Sequence, residues 1–312
     1  MTETTVHRNV QNAIGYYYGQ TLLSKKQLMK KLFISILFIS AISGNAFSQT
    51  ANYEVYALKF ASGFNGMPLP LKYLALNAPE NETIKVDFII WLIKGSNGKI
   101  ILVDAGFLNG IDEAKDFLIS NYIRPDSSLL KIGVKATDIT DIIVTHPHWD
   151  HIDGIDLFPN AQVWIQKEDF NYFAGTAWQK DVSGEGFNKR DVRKIIEQNL
   201  SGKLTMVDGD NKEIIPGIKV FTGSRHTFNS QYVLVQSGTD KIIIASDNAY
   251  SYYNIDHLIS APANATFDTT AYAKSLGRMK TLASEIKYII PGHDASMFSR
   301  FPKVSEGIVR IK

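Results

Sequence analysis

The sequence predicts one α/β domain over residues 49–312. Three observations predict it. Short β-rich runs recur along this span, divided by glycine and aspartate turns. Runs with helical spacing lie between them. No low-complexity stretch or linker divides the span, and no repeat of fixed period occurs in it.

In chain order, Tyr53–Ala61 (YEVYALKFA) alternates and reads as a strand. Ser62–Thr83 holds glycines, prolines and apolar residues and reads as a long loop, a length that is often functional. The runs IKVDFIIWLIKG and KIILVDAG flank Ser96-Asn97-Gly98, a hairpin signal. Ile111–Tyr122 has helical spacing. DIIVTH reads as a short buried strand, AQVWIQ as another, and KEDFNYF as a helix. Asn188–Leu200 is a helix with a charged face. LTMVDGD, IKVFTG, QYVLVQSG and KIIIASD are strands parted by turns. Thr269–Glu285 is a second long helix, and YIIPGHD is a final strand ending at a histidine.

Composition narrows the function. The chain has 312 residues, 45% of them hydrophobic, as in an ordinary globular protein. Its 33 basic and 31 acidic side chains leave a net charge of +2, which gives no electrostatic footprint for nucleic acid. There is no cysteine. That excludes disulfides, cysteine-ligated zinc, iron–sulfur clusters, thiol nucleophiles and a lipoprotein anchor.

The N-terminal region has the layout of an export signal. Lys30 and Lys31 follow Met29, an apolar run of 12 residues spans Leu32–Ser43, and Ala46-Phe47-Ser48 offers small residues at a cleavage site. The apolar run is shorter than the ~20 residues of a spanning helix. The expectation is an upstream extension over 1–28, a signal peptide over 29–48, and a mature chain from about Gln49 in the periplasm or outside the cell, without a stable membrane anchor.

Seven histidines occur in all, and three fall within THPHWDHIDG, Thr145–Gly154. At the end of an extended segment alternate side chains face one way, so His146 and His148 can converge on one ion. Asp150 and His151 then point to a neighbouring position from the turn beyond. Neutral imidazole and carboxylate are ligands for divalent metals. His226 and His293 also end strand-like runs, as does Asp247, which could bridge two ions. His257, in NIDHLIS, reads as an ordinary structural residue.

These residues carry a family resemblance. THPHWDH resembles the His-X-His-X-Asp-His motif of the metallo-β-lactamase superfamily, and SRHTFNSQ, IIIASD and IIPGHD come after it in that family's order. ILVDAG, with Asp104, is similar to its early Asp-Gly turn, which supports the ligands from behind. The resemblance covers about Tyr53–Ser299 and implies an αββα four-layer sandwich. It implies two divalent metal ions, zinc first with iron, manganese or cobalt as alternatives. It places His146, His148 and His226 on one and Asp150, His151 and His293 on the other, with Asp247 between them. The chain departs from the family at the third histidine. Many members have Gly-His-Thr-Pro-Gly there, and this chain has Arg225-His226-Thr227-Phe228-Asn229, so the loop is expected to differ and Arg225 and Phe228 to face the pocket.

Within the superfamily, the absence of cysteine disfavours the main clinical β-lactamases, and the presence of Asp247 disfavours the all-histidine ones. The tail RFPKVSEGIVRIK does not resemble a glutathione-binding extension. The chain resembles most the N-acyl homoserine lactone lactonases and related secreted organophosphate hydrolases, on DHIDGIDLFPNAQVWIQKEDF and on Tyr250, three residues after Asp247. The resemblance implies hydrolysis of a small ester or lactone by a metal-bridging hydroxide. Tyr250 would polarise the carbonyl and Asp150 would pass a proton to the leaving alkoxide. A phosphotriester, thioester or β-lactam stands as the alternative substrate. The loop with Phe64, Met67, Leu69 and Leu71 is expected either to cover the acyl side of the substrate or to make a homodimer contact.

Overall fold

The computed structural model describes residues 52–180 and 185–312. The upstream extension and export signal lie outside the described residues. No helix among the described residues is long and apolar enough to cross a membrane.

Two sheets form the framework. The larger contains β1 (Tyr53–Ser62), β4 (Asp87–Gly95), β5 (Ile100–Val103), β6 (Asp141–Ile143), β7 (Gln162–Gln166), β8 (Leu204–Val207), β14 (Lys303–Ser305) and β15 (Ile308–Arg310), in the order β14-β15-β1-β4-β5-β6-β7-β8. The smaller contains β9 (Lys212–Ile215), β10 (Ile218–Thr222), β11 (Gln231–Ser237), β12 (Asp240–Ser246) and β13 (Ile289–Pro291), in the order β13-β12-β11-β10-β9. A minor pair, β2 (Leu69–Pro70) and β3 (Thr83–Ile84), belongs to the long loop.

The period-2 pattern of the strands explains the layers. On β4, Ile89, Trp91 and Ile93 point to a core shared with Val220, Val233, Ile242 and Ile244 of the smaller sheet. Phe88, Ile90 and Leu92, between them, point the other way, to a second core. There they meet helices α1 (Pro125–Leu130), α2 (Trp149–Ile152), α3 (Lys167–Ala174) and α4 (Lys189–Leu200) through Leu129, Ile152, Phe173 and Ile195. A strand buried on both faces has no polar side, which is why β4 reads as a continuous apolar run. Helices α5 (Tyr252–His257) and α6 (Thr269–Leu282) cover the smaller sheet with Ile255, Tyr272, Leu276 and Met279. The architecture is the expected αββα sandwich.

Local chemistry sets the ends of the helices. Asn188 caps α4 by accepting from the Arg190 N–H at 2.8 Å, and Asp268 caps α6 by accepting from the Ala271 N–H at 2.9 Å. The Asn97-Gly98 turn joins β4 to β5, with the Gly95 carbonyl accepting from the Gly98 N–H at 3.1 Å. One expected helix is different. Asp112–Phe117 forms only a 3₁₀ stretch, because Leu118 enters the left-handed region at φ 46° and Tyr122 turns back to donate to the Phe107 carbonyl at 3.0 Å. Strands β9, β14 and β15 go beyond the sequence expectation. Each is short, and β15 is held by pairing with β1 rather than by its own pattern.

Strands β5, β6, β7 and β8 run parallel, so their C-terminal ends share one edge. There the turn after β5 packs backbone to backbone on the turn after α2. The Ala105 N–H donates to the His151 carbonyl at 2.7 Å, and the Gly154 N–H to the Gly106 carbonyl at 2.8 Å. Buried Asp153 ties α4 to this turn by accepting from Arg190 Nε at 2.7 Å and Lys194 Nζ at 2.9 Å. A Cβ on Gly154 would lie 2.2 Å from the Ala105 carbonyl oxygen, which is backbone and cannot swing away. Gly154→Ala is therefore expected to destabilise the protein by about 1–3 kcal/mol. A lower urea midpoint at unchanged slope would show it, and an unchanged midpoint would refute the close packing.

Candidate metal centre

Strand ends deliver the site. His146, His148, Asp150 and His151 come after β6, His226 after β10, Asp247 after β12 and His293 after β13. One ligand atom from each of His146, His148, His226 and Asp247 lies within 4.8 Å of the others, and Asp150, His151 and His293 form a second such group. All seven sequence-derived ligand candidates thus come together. His257 stays apart, its ring packed on Tyr253 at 4.1 Å between centroids.

Asp247 stands between the groups with one oxygen on each side. Its Oδ2 is 3.7 Å from His146 Nε2 and 3.5 Å from His226 Nε2. Its Oδ1 is 3.5 Å from His151 Nε2 and 3.0 Å from His293 Nε2. Asp150 Oδ2 lies 3.3 Å from His151 Nε2 and 3.5 Å from His293 Nε2. His226 Nε2 and His148 Nδ1 are 3.2 Å apart. Two nitrogens bound at ~2.1 Å in a tetrahedron would sit at roughly 3.4 Å, so this is the spacing of two ligands on one ion.

The hydrogen bonds behind the rings select the free nitrogens. His151 Nδ1–H donates to Asp104 Oδ2 at 2.8 Å, which aims Nε2 into the site. His226 Nδ1–H donates to the Ala265 carbonyl at 3.0 Å, and His293 Nδ1–H to the Asp87 carbonyl at 3.0 Å. His146 Nδ1–H donates to Thr145 Oγ1 at 2.9 Å, and that hydroxyl donates on to Asp104 Oδ2 at 2.9 Å. Asp104 also accepts from the Thr145 N–H at 2.8 Å and from Ser246 Oγ at 2.8 Å.

The residues present fit divalent metals. Buried His146 Nε2, His151 Nε2 and Asp247 Oδ1 have no hydrogen-bond partner, although all point into one space. Unpartnered buried groups are costly, and a cation satisfies all three. The electrostatics differ between the two groups. Burial, then the neighbouring imidazoles, pushes His146 well below the ordinary histidine range, and burial with His226 alongside takes His148 down to about 3. Burial opposes charge on His151, yet the Asp150, Asp247 and Asp104 carboxylates hold it well above that range. Burial would raise Asp247, but the His293 and His151 imidazoles hold it well below the carboxylate range.

Backbone strain gathers here. Asp104 (φ 61°), Arg225 (φ 54°) and Ser246 (φ 49°) are non-glycine residues in the left-handed region, and the last two directly precede ligands. Gly292, before His293, has no room for a side chain, since a Cβ there would lie 2.4 Å from Asp247 Oδ1.

A pocket of about 880 Å³ opens over the ligands, with His148, Asp150, His226, Asp247, Tyr250 and His293 at its floor. Phe64, Leu69, Tyr73, Leu74, Val86 and Phe117 form one apolar wall. Lys180, Glu185, Asn264 and Thr266 also line it. The Tyr250 hydroxyl is 3.5 Å from both His226 Nδ1 and the Ala265 carbonyl. Burial, then the Asp247 charge, holds that phenol well above its usual range, so it keeps its proton.

Residues 90–293 match the family model described as the metallo-beta-lactamase superfamily. The chain belongs to this superfamily. Among its relatives, the N-acyl homoserine lactonase of Bacillus cereus is 24% identical over 168 residues, 53% of this chain and 60% of that protein. The match therefore spans under two thirds of that relative's length. The N-acyl homoserine lactonase AttM of Rhizobium johnstonii is 23% identical over 273 residues, 83% of this chain and 95% of that protein. Among solved structures, a Bacillus thuringiensis AiiA variant with N-decanoyl-L-homoserine bound superposes with a TM-score of 0.63 at 19% identity, over 82% of this chain and 98% of that one. AidC, a dizinc quorum-quenching lactonase in complex with a product, gives 0.56 at 20% identity, over 78% and 91%. These superpositions share the fold of the present chain. In the present chain each of the two groups offers ligand atoms close enough to hold a metal ion.

Two expectations from the sequence are corrected. Arg225 and Phe228 do not line the pocket: Phe228 stacks on Tyr172 at 4.7 Å, and Arg225 lies over the Phe228 ring at 5.3 Å. The left-handed turn at Arg225 directs both toward the α3 side. In the long loop, Phe64 and Leu69 line the pocket, but Met67 is 64% exposed and Leu71 is buried in a small cluster with Ala75, Ala78 and Ile84. Tyr73, Leu74, Asn264 and Thr266 carry no sequence signal, because irregular segments have no periodicity to show which way a side chain points.

Asp104 is the common support of His146 and His151. Asp104→Asn is expected to weaken metal binding by about 10–100-fold. Competition against a chelator measures it, and wild-type affinity would contradict the hydrogen-bond scheme.

Proposed function

We propose that the protein is a metal-dependent hydrolase that opens a lactone or related carboxylic ester bearing an apolar acyl group, of the N-acyl homoserine lactone type. The observation that carries this reading is the Asp247 carboxylate, one oxygen facing each histidine group, at the floor of a pocket with an apolar wall. His146, His148 and His226 would hold one ion, Asp150, His151 and His293 the other, and Asp247 both. Two ions held there would supply Lewis acidity and would lower the pKa of a water toward ~7.

The chain's own residues do the rest. The Tyr250 O–H, kept protonated by burial and by Asp247, donates to the ester carbonyl oxygen as negative charge grows there. As water attacks the carbonyl carbon, Asp150 takes the proton that the water loses on a carboxylate oxygen and returns it to the alkoxide that leaves as the acyl C–O bond breaks. Burial would raise its pKa, but the His151 and His293 imidazoles hold it below the usual carboxylate range, which keeps it ionised. Phe64, Leu69, Leu74 and Phe117 exclude water along the acyl side. The relatives named lactonases at 22–26% identity support the substrate class.

The test is a metal count by mass spectrometry together with turnover of short- and long-chain homoserine lactones, a phosphotriester, a thioester and a cephalosporin. Two ions with preferential lactone turnover are expected. Two ions with turnover of another substrate only would overturn the lactone assignment, and an inert protein would overturn the hydrolase. Asp150→Asn should lower kcat by about 10²–10⁴-fold. Tyr250→Phe should lower kcat by roughly 10²-fold at little change in KM. Unchanged steady-state rates would remove either residue from the mechanism.

A further inference from the structure

We propose that Asp169, on helix α3, is a positioning residue for His226 and through it for one of the two ions. The inference rests on the reading of His226 as a ligand.

Asp169 is 1% exposed, and both its oxygens are engaged by the loop that carries His226. Its Oδ2 accepts from the Thr227 hydroxyl at 2.7 Å, and its Oδ1 from the Asn229 N–H at 2.9 Å. The carboxylate therefore grips the loop at the residue after the ligand and again two residues later. Thr227 is itself fully buried, so its hydroxyl has no water to turn to.

The loop needs an outside hold. Between His226 and Ser230 there is neither proline nor glycine to fix the turn. The segment enters through Arg225 at φ 54°, a left-handed conformation unfavourable for a non-glycine residue. Other contacts act on His226 itself: its N–H donates to Ser230 Oγ at 3.1 Å and reaches Ser224 Oγ at 3.4 Å, and its Nδ1–H donates to the Ala265 carbonyl at 3.0 Å. These fix the backbone entry and the ring's far edge. Asp169 fixes the exit of the loop, anchored to a helix whose Phe170 and Phe173 are set in the core. A buried carboxylate beside apolar side chains is poor packing by itself. Its two bonds to one loop are what the position gains.

The test uses the full chain with Asp169→Ala, Thr227→Val and the double variant. Metal-free samples are titrated with Co(II) by visible absorption, and the thermal midpoint of each metal-free protein is recorded. In the wild type, two equivalents are expected to bind. In Asp169→Ala, one equivalent should bind about as in the wild type and the other at least tenfold more weakly. Thr227→Val removes the same hydrogen bond without emptying the carboxylate's site, so it reports even if the alanine variant does not fold, and should weaken the same equivalent. The double variant should be no weaker than Asp169→Ala alone. Two tight equivalents in each folded variant would overturn the inference alone. So would equal weakening of both, in step with a lower metal-free midpoint, which marks a role in the scaffold only. A wild type that takes up no second ion would overturn the two-ion reading and this inference with it.

Discussion

The site hangs on the Asp104 carboxylate. It is fully buried, just past β5, and four groups point at it from two other strand ends: the Thr145 N–H and hydroxyl, His151 Nδ1 and Ser246 Oγ. A carboxylate out of water is tolerated only where its lone pairs are filled. Here filling them joins β5, β6 and β12 at their C-terminal ends. It also fixes the tautomer of His151 directly and that of His146 through Thr145. One buried charge thus couples the closure of the sandwich to the aim of two ligands. The residue directly after β12 is Asp247, which this coupling places between the histidine groups.

The neighbourhood is strained because it must be. Asp104, Arg225 and Ser246 adopt left-handed backbone conformations without being glycine. Such positions persist when surroundings over-determine them. Gly292 and Gly154 answer a different need, close approach of one backbone to a neighbouring carboxylate or carbonyl. With the rings held from behind, two ring nitrogens and one carboxylate oxygen face the site without partners. This arrangement is unfavourable for an empty protein and favourable for one that binds cations, which ties the stability of the centre to its occupancy.

The pocket wall comes from a different part of the molecule. The segment between β1 and β4 folds on its own small cluster of Leu71, Ala75, Ala78 and Ile84, which packs against Tyr253 and Ile259. That cluster lets Phe64, Leu69, Tyr73 and Leu74 stand over the ligands without belonging to either main core. Irregular segments on a rigid scaffold are where related proteins differ in substrate.

The fold class and the ligand set were legible in the amino-acid order. Apolar runs buried on both faces mark strands such as β4, and four ligand-type residues in the six positions from His146 to His151 have few structural explanations. Both signals are local, whereas His226, Asp247 and His293 lie far along the chain and joined the set only through the family resemblance. The weak strands β14 and β15, the 3₁₀ turn where a helix was expected, and the inward grip of Asp169 came only from the packed molecule. Asp169 had a faint signal, a carboxylate four residues before buried Phe173 and so on the same face of α3. Packing also set one oxygen of Asp247 toward each group and turned Phe228 to Tyr172 instead of the pocket. These are contacts between residues far apart in the chain. Their geometry depends on how two sheets pack, which no local pattern encodes.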